Sequence, residues 1–386
     1  MIEIIDKGKC AGCTACYSAC PKNAIFMKED YLGFKYPEVD LQLCVECGVC
    51  EKVCFYREEI NTEGPYAVLG ARNTNEEEVL TSRSGGVFPA LYAQVIKDDG
   101  IVYGACLNDA MVVEHKGATD LDSCLSFKGS KYVQSDLGDT YRSILSDLKK
   151  GITVLFSGTP CQVAGLKKTT PIKYQRNLYT VDIICHGVPS PGLFRDYLSM
   201  VGVKYHSEVS SFIFRDKSIN GWHDHKESYI LKDGRKIVDN LYTELFYTNC
   251  FFRESCYSCP FAKISRVSDI TLGDFWGWEK VFPSVNLDDK GYSLVFINSK
   301  KGGALMDACG KALELKTVSD IESCLQKNLK RPTPSPQNRN LVTQYYVKRG
   351  CEKLIKRYIR KGFRWKVLDK MCSFIRIIKY YGQSIW

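Results

Sequence analysis

Apolar positions along the chain fall into short runs at two periods. Ile152-Thr-Val-Leu-Phe156 has no polar break beyond Thr153, the pattern of a strand covered on both faces. Tyr66 to Arg72, Ile101 to Leu107, Ala110 to His115 and Tyr179 to Cys185 read as strands, as do Asp269 to Leu272 and Tyr292 to Asn298. Val87 to Lys97, Asp136 to Lys150 and Pro191 to Met200 carry helical spacing, and Lys226 to Val238 reads as a hairpin turning at Asp233-Gly234. Strands and helices interleave, so the stretch 61–330 is expected to be a mixed α/β body rather than a clean doubly wound sheet.

The first 60 residues are patterned by cysteine instead. Cys10-Ala-Gly-Cys13-Thr-Ala-Cys16-Tyr-Ser-Ala-Cys20-Pro21 and Cys44-Val-Glu-Cys47-Gly-Val-Cys50-Glu-Lys-Val-Cys54 both follow C-x2-C-x2-C-x3-C, the spacing of bacterial two-cluster ferredoxins. Three thiolates two residues apart curl round three corners of a cubane, and the fourth points away to the other cluster. Cys10, Cys13, Cys16 and Cys54 are therefore expected to hold one [4Fe–4S] cluster, and Cys44, Cys47, Cys50 and Cys20 the second. Zinc, the competing reading, favours separated C-x2-C pairs. A segment this short has little core, so its clusters would also staple it.

Composition changes the picture only at cysteine. The chain has 386 residues, 45% hydrophobic and 25% charged, ordinary for a globular protein, but 19 are cysteines. No signal-peptide hydrophobic region and no span of ~18 apolar residues is evident, so a reducing cytoplasm is expected, where cysteine clusters read as metal ligands. The net charge of +9 sits in the tail: Lys348 to Trp386 carries +10 and the remainder about −1. A body without a basic face is not expected to bind nucleic acid.

Several loops of the body stand out. Ser82-Arg-Ser-Gly-Gly86 precedes a helix, where paired glycines let backbone N–H groups approach a phosphate. Gly129 to Ser135 mixes hydroxyls, a cation and a ring. Ser157-Gly-Thr-Pro-Cys161-Gln and Ile184-Cys185-His186-Gly each place a cysteine at a strand's C-terminal edge, where open α/β sheets bind ligands. Cys256 and Cys259 could be a redox dithiol, half a zinc site or two cluster ligands; joined with Cys161 and Cys185 they would make a third [4Fe–4S] site, with Cys250 the rival for its fourth position. Cys106, Cys124, Cys309, Cys324, Cys351 and Cys372 have no partner at ligand spacing and read as structural. His186, His223, His225 and Asp274 are more simply read as structural than as proton or metal groups.

The order of Ser84-Gly-Gly-Val-Phe88, Ser130-Lys-Tyr-Val-Gln-Ser135, Gly158-Thr-Pro-Cys-Gln162, Cys185-His-Gly-Val-Pro-Ser190, Cys256-Tyr-Ser-Cys259-Pro and Ser268-Asp-Ile-Thr-Leu-Gly-Asp-Phe-Trp-Gly277 resembles the coenzyme F420 hydrogenase/dehydrogenase beta-subunit family, over roughly residues 1–330. The resemblance implies an α+β chain with a small ferredoxin-like two-cluster domain (1–60) and a mixed α/β flavin-binding body (61–330); beyond it, three prolines before Asn338 and then apolar and basic residues at helical spacing read as a proline-rich linker with a basic amphipathic helical tail (331–386). It implies FAD held by Ser84, Gly85, Gly86, Lys131, Tyr132 and Ser135, and a cluster held by Cys161, Cys185, Cys256 and Cys259. It further implies an iron–sulfur flavin-dependent oxidoreductase working with a ferredoxin or other redox partner. Hydride would pass between the flavin and an organic acceptor or donor. Bacterial chains of surface-polysaccharide loci share this build, so the acceptor is F420 or another substrate. An electron-transfer adaptor feeding a separate catalytic partner, and a redox-sensing regulator, are the competing functions. The basic tail is read as a contact for the inner membrane face, an acidic partner or the acidic ferredoxin segment.

Overall fold

A computed structural model describes residues 1–359 except Ile5, Glu59, Asn61, Glu63 and residues 285–287. In the N-terminal segment β1 (Ile25–Glu29) and β2 (Lys35–Val39) form an antiparallel hairpin between the two cysteine runs. Short helices Ala15–Ala19 and Val49–Lys52 each begin one residue before the third cysteine of their run, and both are entered through a left-handed residue at the matching position, Thr14 and Gly48. The repeated motif thus folds into repeated geometry.

The body is built on one mixed sheet of eight strands, ordered β13-β3-β12-β11-β7-β6-β4-β5. These are β3 (Ala67–Asn73), β4 (Ile101–Leu107), β5 (Val113–Ala118), β6 (Val154–Gly158), β7 (Leu178–Ile183), β11 (Ile270–Asp274), β12 (Ser293–Ile297) and β13 (Leu313–Thr317). The four central strands β4, β6, β7 and β11 are parallel; the flanking pairs are antiparallel. Val154, Leu155 and Phe156 are fully buried. That is what an uninterrupted apolar run in a parallel strand requires. Helix Val87–Lys97 packs one face through Val87, Leu91 and Val95, and helix Thr140–Lys149 the other through Tyr141, Ile144 and Leu148. A second sheet, β8 (Val209–Ile213), β9 (Glu227–Leu231) and β10 (Lys236–Asp239), carries the hairpin expected at Asp233-Gly234 and buries an aromatic group of Phe194, Tyr197, Phe212, Phe214, Tyr229 and Tyr242.

Three expectations shift. The strand expected at Ala110–His115 begins only at Val113, because Asn108 Oδ1 accepts from Ala110 N and Val112 N and ties those residues into a turn. The helix expected to end at Met200 runs on to Tyr205. The proline-rich stretch after Lys330 forms no helix or strand before Arg339, yet it is not a free linker: Thr333 is buried and donates to His186 O at 2.6 Å. The following helix Arg339–Leu354 buries Val342, Tyr346, Leu354 and the succeeding Ile355 in the aromatic group, so the first part of the tail belongs to the body. Residues 360–386, with Cys372 and most of the basic tail, lie outside the described residues.

The N-terminal segment is joined to that same body. Leu32 and Phe34 are buried with Leu193 and Phe194. Arg142 donates to Tyr17 O and Asn23 Oδ1, and Lys35 pairs with Asp136 at 2.7 Å.

Candidate functional site

The eight N-terminal cysteines gather into two sets. One cavity is walled by Cys20, Cys44, Cys47 and Cys50 together with Ile25 and Val39. Ile2 N donates to Cys50 Sγ at 3.2 Å and Ala24 N to Cys20 Sγ at 3.3 Å. Cys10, Cys16 and Cys54 press on one another electrostatically, Cys13 on Cys10 and Cys16, and Cys50 of the first set also on Cys16. Burial first, then these neighbours, pushes the Cys16 thiol up to about 12 and Cys13 well above its ordinary range. Four sulfurs so placed resist ionising together, and a cationic iron–sulfide core would relieve them. Among the described residues no group of three or more His, Cys, Asp or Glu converges on a single ion. A cubane differs in kind, since each thiolate takes its own iron.

The sheet's carboxyl edge brings a third set together. Cys161 opens the helix Pro160–Thr169 after β6, and Thr159 Oγ1 lies 3.1 Å from its sulfur. The Thr159/Gln162 capping box fixes that turn. Cys185 follows β7, and Cys256 and Cys259 come from the loop before β11. Cys185 is raised well above its usual value, chiefly by burial and then by Cys256, Cys161 and Cys259. Val188 N donates to Cys256 Sγ. The rival Cys250 is buried in the aromatic group instead, and its thiol donates to Asn338 Oδ1.

The N-terminal and third sets are neighbours. A Cβ on Gly165 would stand 3.0 Å from Cys13 Sγ, so the helix whose first turn carries Cys161 has Cys13 lying directly on it. Arg253, fully buried, spans the gap: it donates to Cys10 O, Cys10 Sγ, Lys35 O and Gln134 Oε1, and its charge favours the thiolates of Cys161 and Cys256. Its only sequence signal is a lone arginine inside Cys250-Phe-Phe-Arg-Glu-Ser-Cys256, which the motif reading leaves unused.

The six residues expected at the flavin are spread along the same edge. Gly85 lies against the sheet, where a Cβ would meet Ala71 O at 2.2 Å, and its N–H donates to Ser293 Oγ. Ser84 Oγ donates to Tyr292 O, and Gly86 enters helix Val87–Lys97 with φ of 73°. Tyr132 stacks on Phe246 at 4.3 Å, and its hydroxyl accepts from Arg215. Ser135 accepts from Gln162 beside Cys161. Lys131 is turned away, its ammonium donating to Ser126 O and Lys128 O. Between Ser84 and Tyr132 stands a basic aromatic group whose convergence the separate motifs around Arg83 and Asp274 do not announce: Arg83 and Arg215 both pair with Asp274, at 3.3 and 3.1 Å, beneath the stacked rings of Trp222 and Trp276. His186 bonds Asn249 and Asn328, as a structural histidine does.

Residues 9–57 match the 4Fe-4S dicluster domain, and residues 152–322 match the family described as the C terminus of the coenzyme F420 hydrogenase/dehydrogenase beta subunit. Over residues 152–322, therefore, the chain matches the coenzyme F420 hydrogenase/dehydrogenase beta-subunit family. That family is one of oxidoreductase subunits, and the dicluster match supports iron–sulfur clusters in this chain. All eight N-terminal cysteines fall within the dicluster match. Cys161, Cys185, Cys256, Cys259, Arg215 and Asp274 fall within the beta-subunit match, whereas Arg83 to Gly86 precede it. An uncharacterized protein of Methanocaldococcus jannaschii is 24% identical over 192 residues, 42% of this chain and 52% of that protein. An uncharacterized ferredoxin of the same organism is 39% identical over 51 residues, 13% of this chain and 65% of the ferredoxin. The chain thus spans about half the length of the first and under two thirds of the second. A chain of the F420-reducing [NiFe] hydrogenase complex from Methanosarcina barkeri aligns at TM-score 0.47 and 19% identity, over 76% of this chain and 91% of that one. Among the described residues no helix is long and apolar enough to cross a membrane.

Proposed function

We propose that this chain is an iron–sulfur flavoprotein that passes electrons between an external redox partner and an organic acceptor. When bound, the clusters would carry single electrons and a flavin would exchange pairs of them for hydride. The reading is carried by one observation, the gathering of Cys161, Cys185, Cys256 and Cys259 against the helix on which Cys13 rests. The chain's own share is placement. Cys10, Cys13, Cys16 and Cys54 would hold the middle centre, Cys20, Cys44, Cys47 and Cys50 the outer one, and the strand-edge cysteines the inner one. Ser84, Gly85, Gly86, Tyr132 and Ser135 line the edge along which a flavin would lie. Phe156, Tyr141 and Val163 keep the interior beside the third set dry.

Anaerobic purification with iron, sulfide and flavin quantitation tests this. Three cubanes give about 12 irons per chain, at four per cluster. About eight irons with no flavin would overturn the reading. A second reading is favoured by the family description, which is of one subunit among others. In it the chain wires a ferredoxin to a separate catalytic partner. Reduction of an added acceptor by the purified chain alone supports the first; turnover only with an added partner supports the second.

A further inference from the structure

At the carboxyl edge of β3 and β11 the protein buries more positive charge than it neutralises. Arg83 and Arg215 have side chains only 10% and 3% exposed, and they share a single carboxylate, Asp274. Lys217, also buried, donates its ammonium to Ser84 O and Lys290 O. The nearby carboxylates are engaged elsewhere: Asp288 by Arg72, Asp289 by His223, and Asp216 by Ser218 and Ser228. Arg83 Nε, Arg83 Nη1 and Arg215 Nε find no hydrogen-bond partner among the described residues. Buried donors on charged groups are rarely left so, and a missing acceptor is the ordinary explanation. Burial, with Arg83 beside it, also pushes the Lys217 ammonium down to about 7, a strain that an anion would remove.

We infer that Arg83, Arg215 and Lys217 form a subsite for a phosphate group of a bound ligand, covered by Trp222, Trp276 and His225. Three uncommitted guanidinium nitrogens exceed what the two oxygens of a carboxylate can accept and suit the three free oxygens of a phosphate ester. The cover is made of side chains. His225 stacks on Trp276 at 5.6 Å, both are partly exposed, and His225 also walls an open cleft of about 440 Å³ with Asp224, Tyr247 and Thr248. A ligand entering from that cleft would have to displace His225 from Trp276 to reach the guanidiniums. The ring stack then lies beside a planar ligand whose phosphate is held beneath. The phosphate belongs either to a flavin's diphosphate or to a separate phosphorylated acceptor. The inference rests on the proposed function only for that ligand's identity.

Inorganic pyrophosphate is the probe, titrated anaerobically into the full chain by equilibrium dialysis, with tryptophan fluorescence read in parallel. Saturable binding that weakens about tenfold or more in Arg83→Gln and in Arg215→Gln, with iron content and unfolding midpoint kept, is the expected result. No saturable binding to the wild type before or after flavin is stripped, or equal affinity in the variants, overturns it. Should Arg215→Gln unfold, Arg83→Gln decides alone, since it leaves the Arg215–Asp274 pair intact. Pyrophosphate binding only after flavin removal, with a lower flavin-to-iron ratio in Arg83→Gln, assigns the subsite to the flavin. Binding with flavin in place assigns it to the acceptor. A chain that never carries flavin but still binds pyrophosphate through these arginines refutes the flavin reading and leaves this inference standing.

Discussion

Single side chains carry much of the electrostatic design. Arg253 ties Cys10, Lys35 and Gln134 together in a site with no solvent, so Arg253→Gln strands several buried acceptors. It should cost about 3 kcal/mol or more, with each unsatisfied group contributing roughly 1–3 kcal/mol. It should also move the middle and inner centres to more negative potentials, because a positive charge beside the thiolates is lost; anaerobic redox titration followed by electron paramagnetic resonance checks this. His115 is a second case. Its ring is buried, stacked on Phe156, with Nε2 3.0 Å from Ser157 O, and burial drives its pKa down to about 4. The unfolded chain therefore binds a proton between about 6.5 and 4 that the native chain refuses. Stability should fall as pH drops through that window, by up to roughly 1.4 kcal/mol per pH unit. Urea midpoints at pH 7 and 5.5 should show a shallower fall for His115→Phe than for the wild type. His225, lowered in the same direction, leaves part of the slope in place. Neither Arg253 nor His115 was legible as such in the sequence, because each acquires its role from residues over 40 positions away. The ferredoxin thiols were legible, since their ligand geometry is set by spacings of three or four residues.

At the scale of elements, the strand-edge loops are the units that matter. Cys161→Ser and Cys185→Ser should each lower iron from about 12 to about eight per chain, whereas Cys250→Ser should leave it unchanged, since Cys250 faces Asn338 rather than the third set. Iron assay of the three variants, purified anaerobically, separates the four-thiol assignment from the rival. The loops were readable because β6 and β7, the first an apolar run and the second strand-patterned around Thr180 and Asp182, each end two or three residues before a cysteine. The Cys256/Cys259 loop could be joined to them only by analogy of motif, as no local pattern says that a segment about 70 residues later returns to β7. Strand starts escape the pattern where a polar side chain takes over the backbone, as Asn108 does before β5. The packing of the proline-rich stretch was invisible for the same reason: it depends on Thr333 meeting His186.

Taken whole, the molecule leans on its metal unevenly. The N-terminal segment owns a core of little more than Ile2, Ile25 and Cys50, whereas the body has large groups on both faces of its sheet. Oxidative stripping of iron should expose the first 60 residues to protease well before the body yields, and mass spectrometry of early fragments should find cuts there. Fragments from the body appearing first would contradict this. Leu32, Phe34 and Arg253 should keep the hairpin β1–β2 attached longest, since they share the body's interior.

Cys47 is exposed and Cys44 half-buried, while every cysteine of the middle and third sets is at least half-buried. Current through such a series would have its most open terminal at Cys47 and a more sheltered one at the sheet edge. Oxygen attacking from solvent would strike the outward terminal first. A batch half bleached in air would then hold charge inside yet fail to exchange it with any protein outside, so its colour would overstate how much of it could still work.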